Sequence, residues 1–316
     1  MSKFINPFTD YGFKLIFGRE VSKILLIEFL NDLLEGERVI TDLTFLNNEQ
    51  LPDYPEGRGI IYDVYCTTDT GEKIIVEMQN RMQSNFKERS IFYLSRAIVN
   101  QGRTGHDWKF EIKAVYGVFL MNFIMDKNIK LRTDVILADK ETGELFSEKF
   151  RQIFIALPLF KKSEEECETN FERWIYILNN METLKRLPFK ARKAVFEKLE
   201  EIADVASMSP KERELYDNSV KVYRDYLVTM DAAEKEGIKK GMEEGLKEGM
   251  KEGLKKGLEE GLEEGLEEGL KKGLKKGREE ALNIFQTAID MKKQGIDNQL
   301  IAEKTGLPLS LIESLK

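Results

Sequence analysis

Histidine is almost missing from this chain of 316 residues: His106 is the only one. That leaves no material for a histidine-ligated metal centre and argues against a Ser-His triad. Cysteine is nearly as scarce. Cys66 and Cys167 stand far apart in no metal-binding spacing, so a reducing cytoplasm is the expected home. No apolar run approaches the roughly 18 residues that cross a bilayer. The opening MSKFINPFTD lacks the apolar core of a secretory signal, so no membrane partner is expected. Excess positive charge is lacking too. The net charge is −7, awkward for a protein that must hold phosphates unless the basic residues are gathered locally. What is present is a hydrophobic fraction of 41%, enough for a substantial core, in a chain 33% charged. The length fits one large or two ordinary domains.

The most informative stretch is Gly59 to Asn80, GIIYDVYCTTDTGEKIIVEMQN. Two runs of β-branched and aromatic residues flank Asp69-Thr70-Gly71, the pattern of a β-hairpin. A three-residue loop commonly ends at a positive φ, which glycine adopts without a Cβ penalty. With Gly71 in that slot, Thr68 and Glu72 close the loop and opposed residues sum to 140. Asp63 then faces Glu77. Period-two alternation puts Gln79 on the same face as Glu77, and assigns Tyr62, Val64, Cys66, Ile74, Val76 and Met78 to a core face. Directly opposed carboxylates are destabilising unless a proton or a cation lies between them. Asp63, Glu77 and the Gln79 carbonyl offer only oxygen, which suits Mg²⁺ or Mn²⁺ (Ca²⁺ shares the preference) rather than zinc. The alternative is a solvated strand face with nothing bound. A turn one residue shorter would separate the two acids.

Motif order adds to this. A YDV strand, a short turn and a strand ending Glu77-Met78-Gln79 resemble the restriction-endonuclease-like PD-(D/E)XK nucleases. The run from Asn6 to Gly18, NPFTDYGFKLIFG, resembles the opening of the PD-(D/E)XK family transposases, also called recombination-promoting nucleases (Rpn). The resemblance implies a mixed α/β core in which a central sheet is flanked by helices. It also implies divalent-metal-dependent hydrolysis of DNA phosphodiester bonds, with Asp63 and Glu77 as metal ligands and Gln79 in place of the parent motif's lysine. It sets the Asn6–Gly18 segment beside the active site, making Asp10 a secondary catalytic candidate.

Thr9 to Phe17 is predicted to be a helix capped by Thr9 and stopped by Gly18, with Asp10 and Lys14 sharing one face. Lys14 is a candidate substrate contact. Glu20 to Leu34 reads as a second, nearly all-apolar helix, within which Glu28 is read as an edge residue rather than a further acid. A strand over 39–45 and a loop holding Pro52, Pro55 and Gly57 lead into the hairpin. After it comes a helix over 84–100, with Ser84 as N-cap and Ile91, Leu94 and Ile98 as its buried stripe. Arg89, Tyr93, Arg96 and Asn100 share another face of that helix. From Arg81 to Lys113 seven basic residues meet three acids, so local positive charge follows directly after the acid pair. Arg89 and Arg96 suit phosphate oxygens, and Tyr93 adds a donor or a stacking surface; a merely solvated face is the competing reading. Residues 112–121 form a continuous apolar run, typical of a central strand covered on both faces. Strands over 132–137 and 152–157 flank a turn at Thr142-Gly143, and helical stretches over 164–181, 189–206 and 210–232 supply a cover.

Glycine then recurs at every fourth position from Gly237 to Gly277, eleven in all, among ten lysines and ten glutamates. A step of four advances 400° on a helix, so the Gly-Leu stripe drifts by ~40° per repeat and keeps no fixed face. Each glycine costs about 1 kcal/mol against alanine, while each i, i+4 Glu/Lys pair returns about 0.2–0.5 kcal/mol. The expectation is a labile, self-associating helix in preference to a disordered spacer. Residues 295–316 resemble a helix-turn-helix, but the second helix, ending at Lys316, carries a single basic residue. It reads as a packing or dimer-forming unit rather than a groove reader. The organisation expected is a nuclease-like core over 1–160, a helical cover over 161–232, the repeat tract over 233–280 and a small helical unit over 281–316. The function expected is a metal-dependent DNA endonuclease acting as a homo-oligomer. The alternative is a non-catalytic DNA-binding or self-associating scaffold on a degenerate nuclease fold. A true transposase is disfavoured, since no separate recombinase acid triad is apparent.

Overall fold

The computed structural model describes every residue except Met1, 53–55, Gly57, Thr104, His106, Asp107, 190–193 and Lys316. His106, Pro55, Gly57 and Lys316, each named above, therefore lie outside the described residues. Two compact units divide the chain, Met1–Thr229 and Met230–Lys316.

In the first unit six strands form one mixed sheet: β1 (Leu43–Phe45), β4 (Val64–Thr68), β5 (Lys73–Gln79), β6 (Val115–Met121), β7 (Arg132–Ala138) and β8 (Leu145–Ala156). Their spatial order is β1-β4-β5-β6-β8-β7. The β5–β6 and β6–β8 pairs are parallel, the others antiparallel. Two short strands, β2 (Glu49–Gln50) and β3 (Ile60–Ile61), pair separately. The parallel β5–β6 pair needs a crossover, supplied by α3 (Phe86–Val99). Every residue of β6 is buried, as its uninterrupted apolar run predicts.

The sheet separates two apolar clusters. On one side Val64, Cys66, Ile74, Val76 and Met78 pack with α1 (Asp10–Phe17), α2 (Lys23–Leu33), α4 (Asn170–Asn180) and α5 (Val195–Ala203). Trp174 at 0% exposure stands among Phe17, Phe29 and Phe196, so α4 and α5 are core elements and more than a cover. On the other side Tyr65, Ile75, Val115 and Phe119 pack with Phe86, Tyr93, Leu94 and Ala97 of α3. That corrects two expectations. Tyr62 belongs to the α3 cluster and not to the first face, because the chain bends at Asp63, which interrupts the alternation. The buried stripe of α3 is Phe86, Ser90, Tyr93, Leu94 and Ala97, while Ile91 is 49% exposed. Asn85 rather than Ser84 precedes the first turn, with no side-chain cap.

Thr9 caps α1 by accepting a hydrogen bond from the Gly12 backbone N–H. Glu28 is half-buried on the outer surface near Ala194 and Lys198.

The helix α6 (Pro210–Lys293) is continuous through the glycine tract. The residues between the glycines are leucines, lysines and glutamates apart from Ile238, Met242 and Met250, nearly all strong helix formers, and ion pairs such as Lys240–Glu236 and Lys272–Glu268 lie along it. In the second unit the tract leucines stay exposed, Leu254 at 78%. The helices α7 (Asn298–Thr305) and α8 (Leu309–Ser314) bury Ile301 and Ile312 against Ala288. Gly306 ends α7 at φ +72°, the left-handed C-cap that glycine favours.

Gly117 shows how closely α3 sits on the sheet: a Cβ there would lie 2.5 Å from Leu94 Cδ1 and 2.7 Å from the Phe119 ring. Gly117→Ala is expected to lower stability by about 1–3 kcal/mol through overpacking. Urea unfolding would measure it, and an unchanged midpoint would show that α3 yields freely.

Candidate active site

Local turn chemistry sets the register. Gly71 takes φ +94°. The Thr68 N–H donates to the Glu72 carbonyl at 2.9 Å, and the Gly71 N–H to the Thr68 carbonyl at 3.0 Å. The Glu72 carboxylate also accepts from the Thr68 and Thr70 hydroxyls. The ladder then runs Thr67↔Lys73, Cys66↔Ile74, Tyr65↔Ile75 and Val64↔Val76, each pair summing to 140 as the turn predicts. One step further, at the bend before β4, Asp63 meets Glu77. The Asp63 N–H donates to Glu77 Oε1 at 3.1 Å, and the Met78 N–H donates to Asp63 Oδ2 at 2.8 Å. Each carboxylate is thus held by main chain of the opposite strand. Gln79 Nε2 completes the cluster, donating to Glu77 Oε2 at 3.0 Å.

Glu77 is 1% exposed. Burial, then the neighbouring Asp63 charge, holds its carboxyl well above the usual range. Burial likewise pushes Asp63 up to about 6, with the Met78 N–H, Lys14 and Arg89 pulling it down and Asp10 pushing it up. Helix α1, through Asp10 and Lys14, and the first half of α3, through Arg89, therefore both act on the acid pair. Asp10 and Lys14 are ion-paired at 2.6 Å. Arg89 lies over the Tyr93 ring, its Nε donating to the Tyr93 hydroxyl at 2.9 Å and its Nη1 to Gln83 Oε1 at 3.2 Å. Arg96 goes elsewhere: its Nη2 donates to the Leu51 carbonyl at 2.7 Å, tying α3 to the loop that follows β2.

A polar cluster at the ends of β5 and β6 escaped the sequence reading. Asn80 Nδ2 donates to the Phe8 carbonyl at 2.6 Å, and the Tyr226 hydroxyl donates to the Asn80 carbonyl at 2.9 Å. Asn122 binds main chain at Gln79 and reaches Asn80 Oδ1 and the Tyr223 hydroxyl. The start of α6 thereby latches the strand that carries the acids. The available signal was the tyrosine series 216, 223 and 226, spaced for one helix face. Asn48 also contributes, donating to the Asp63 carbonyl at 2.9 Å.

Oxygen is all this site offers a ligand: two carboxylates, an amide and backbone carbonyls. Among the described residues no group of three or more His, Cys, Asp or Glu gathers elsewhere or here. A buried Glu77 and a partly buried Asp63, each held by main chain facing it, fit a divalent ion with water completing its coordination.

A mixed six-stranded sheet flanked by helices, with an Asp and a Glu converging at one end of its hairpin, defines a restriction-endonuclease-like fold of PD-(D/E)XK type. The chain belongs to the PD-(D/E)XK nuclease family transposases, whose family model matches residues 7–233. No curated protein and no solved structure matches it. The family is a nuclease family, with divalent metals and DNA as its general cofactor and substrate. Among the described residues no helix is long and apolar enough to cross a membrane.

The raised carboxyls make stability depend on pH with a definite sign. Below the ordinary carboxylate range both folded and unfolded chains hold these protons. As pH climbs past about 4 the unfolded chain releases them, while folded Asp63 keeps its proton up to about 6 and Glu77 is likewise held well above the ordinary range. In divalent-free buffer the pair's contribution therefore falls as pH rises through this window. The difference between wild type and Asp63→Asn, followed by urea unfolding from pH about 4 to about 7, is expected to move in the variant's favour. A flat difference would mean that the acids do not share a buried site.

Proposed function

We propose that the protein is a divalent-metal-dependent DNA endonuclease of the recombination-promoting type, hydrolysing phosphodiester bonds. One observation carries the reading: Asp63 and the buried Glu77 are caught against each other by each other's backbone. Asp63 and Glu77 would hold Mg²⁺, for which Mn²⁺ or Ca²⁺ can substitute as a ligand, with Gln79 and the backbone near Met78 as further oxygen donors. A bound ion would polarise the scissile phosphate, acidify a water and offset charge on the leaving oxygen. Gln79 orients its neighbours through a neutral amide and adds no charge. Positive charge therefore falls to Arg89, stiffened by Tyr93, and to Lys14, with Asp10 limiting Lys14's reach and serving as a secondary acid. Arg96 supports the loop side of this surface. Two buried free thiols suit a reducing cytoplasm, and the exposed tract leucines suit association between copies through the C-terminal region.

A non-catalytic binding scaffold draws on Gln79 standing where the parent motif has lysine. Nicking of supercoiled plasmid separates the two readings. Wild type is expected to nick only with Mg²⁺ or Mn²⁺, and Asp63→Ala and Glu77→Ala to fall to background. Equal residual cleavage by both variants and wild type sinks the enzyme.

A further inference from the structure

A second cleft lies at the far end of β5, about 13 Å from Glu77 on the rise of a strand. Its walls are the hairpin turn at Gly71, Lys73, the end of α3 with Asn100, Gln101, Gly102 and Arg103, and the lead into β6 with Trp108, Glu111 and Lys113; its volume is about 530 Å³. Three cations face one carboxylate in a chain whose net charge is −7. Among the described residues none of the three cations is in an ion pair: Lys73 donates to the Thr67 hydroxyl at 3.1 Å. Burial pulls the Lys73 ammonium below its ordinary value, the expected cost of a half-buried cation without an anion.

The cleft is built, not incidental. Gln101 clamps the Lys113 backbone at both ends, Oε1 accepting from its N–H at 2.8 Å and Nε2 donating to its carbonyl at 3.1 Å. The Lys113 side chain packs against Gly71 and the Trp108 ring against Gly102. Beside them Phe110 is 78% exposed and sits 4.6 Å from Trp108, ring centre to ring centre. Phe110 holds φ +58°, a region costly for an aromatic residue, closed by a hydrogen bond from the Ile112 N–H to its carbonyl at 2.9 Å.

Cations lining a groove supply phosphate contacts, and the exposed Phe110 beside a partly exposed Trp108 supplies a face on which an unpaired base can stack. We propose that this cleft binds single-stranded nucleic acid, with phosphates on Lys73, Arg103 and Lys113 and a base stacked on Trp108 and Phe110. The site is separate from the acid pair and does not depend on how that pair is read.

The chain has two tryptophans, Trp108 and Trp174, and Trp174 is fully buried, so binding is visible in Trp108 fluorescence. The test uses the full chain carrying Asp63→Ala, without divalent ions, so that cleavage plays no part. Oligothymidylate and oligouridylate of about twelve nucleotides, within the ~4–16 spanned by single-strand sites, are the probes. At least one is expected to quench the emission, the stronger identifying DNA or RNA as the source, and Trp108→Phe removes the quench. Followed by anisotropy of a labelled oligonucleotide, Trp108→Ala weakens binding about tenfold. Lys113→Gln, which keeps the stem packed on Gly71, lowers the slope of log affinity against log salt by about 0.7. Lys113→Arg restores it. No quench with either probe, an equal response to duplex of matched sequence, or slopes unchanged in Lys113→Gln overturns the proposal. None of these outcomes bears on plasmid nicking, which tests the acid pair alone.

Discussion

The mutual capture of Asp63 and Glu77 is the constraint on which the rest depends. Two unit charges about 4 Å apart repel by about 4 kcal/mol at the effective dielectric near a protein surface, and by more as water is excluded. Folding accepts that repulsion because each carboxylate gains a backbone N–H from the facing strand. Burial lifts both carboxyls above their ordinary range, and the Asp63 charge adds to the rise at Glu77, so a proton relieves the rest. The cost must be borne by the scaffold, and the two apolar clusters on either side of the sheet bear it.

That scaffold also gathers positive charge beside the acid pair of a chain whose net charge is −7. Lys14 approaches Asp63 from α1, and Arg89 approaches both acids from α3. Meanwhile Asp134 on β7 and Glu37 after α2 are neutralised by Arg132 and Arg151 at the far edge of the sheet. Net charge is a poor guide here because the relevant field is set within a few residues of the site. The start of α6 adds mechanical support, tying Asn80 and Asn122 through Tyr226 and Tyr223.

The register was legible because one glycine decides it. Gly71 has to hold a positive φ, and once it does, every opposed pair follows by counting. Alternation failed at Tyr62 because the strand bends at Asp63, and a bend leaves no mark in hydrophobic periodicity. In the stripe of α3, Leu94 is buried and Ile98 packs on the same cluster as expected, but Ile91 is exposed: it is more apolar than Ser90, yet Ser90 is the buried one because Gln152 on β8 donates to its hydroxyl at 2.8 Å. A buried hydrogen-bonded pair is invisible to an apolar count. The tyrosines of α6 looked like ordinary amphipathic spacing, since what they bind lies about 100 to 200 residues away.

The glycine tract shows the limit of local bookkeeping in the other direction. Summed penalties argued against a persistent helix, yet nothing in the tract breaks one: no proline interrupts α6 after Pro210, and the residues between glycines favour helix. A helix carrying exposed leucines on a stripe that drifts by ~40° per repeat cannot lie along a partner for long, because an apolar arc of about 100° is used up within two or three repeats. Any helix meeting this one must cross it, with glycines letting the backbones approach. Adding or removing repeats then changes the number of equivalent crossing points and leaves each crossing as it was.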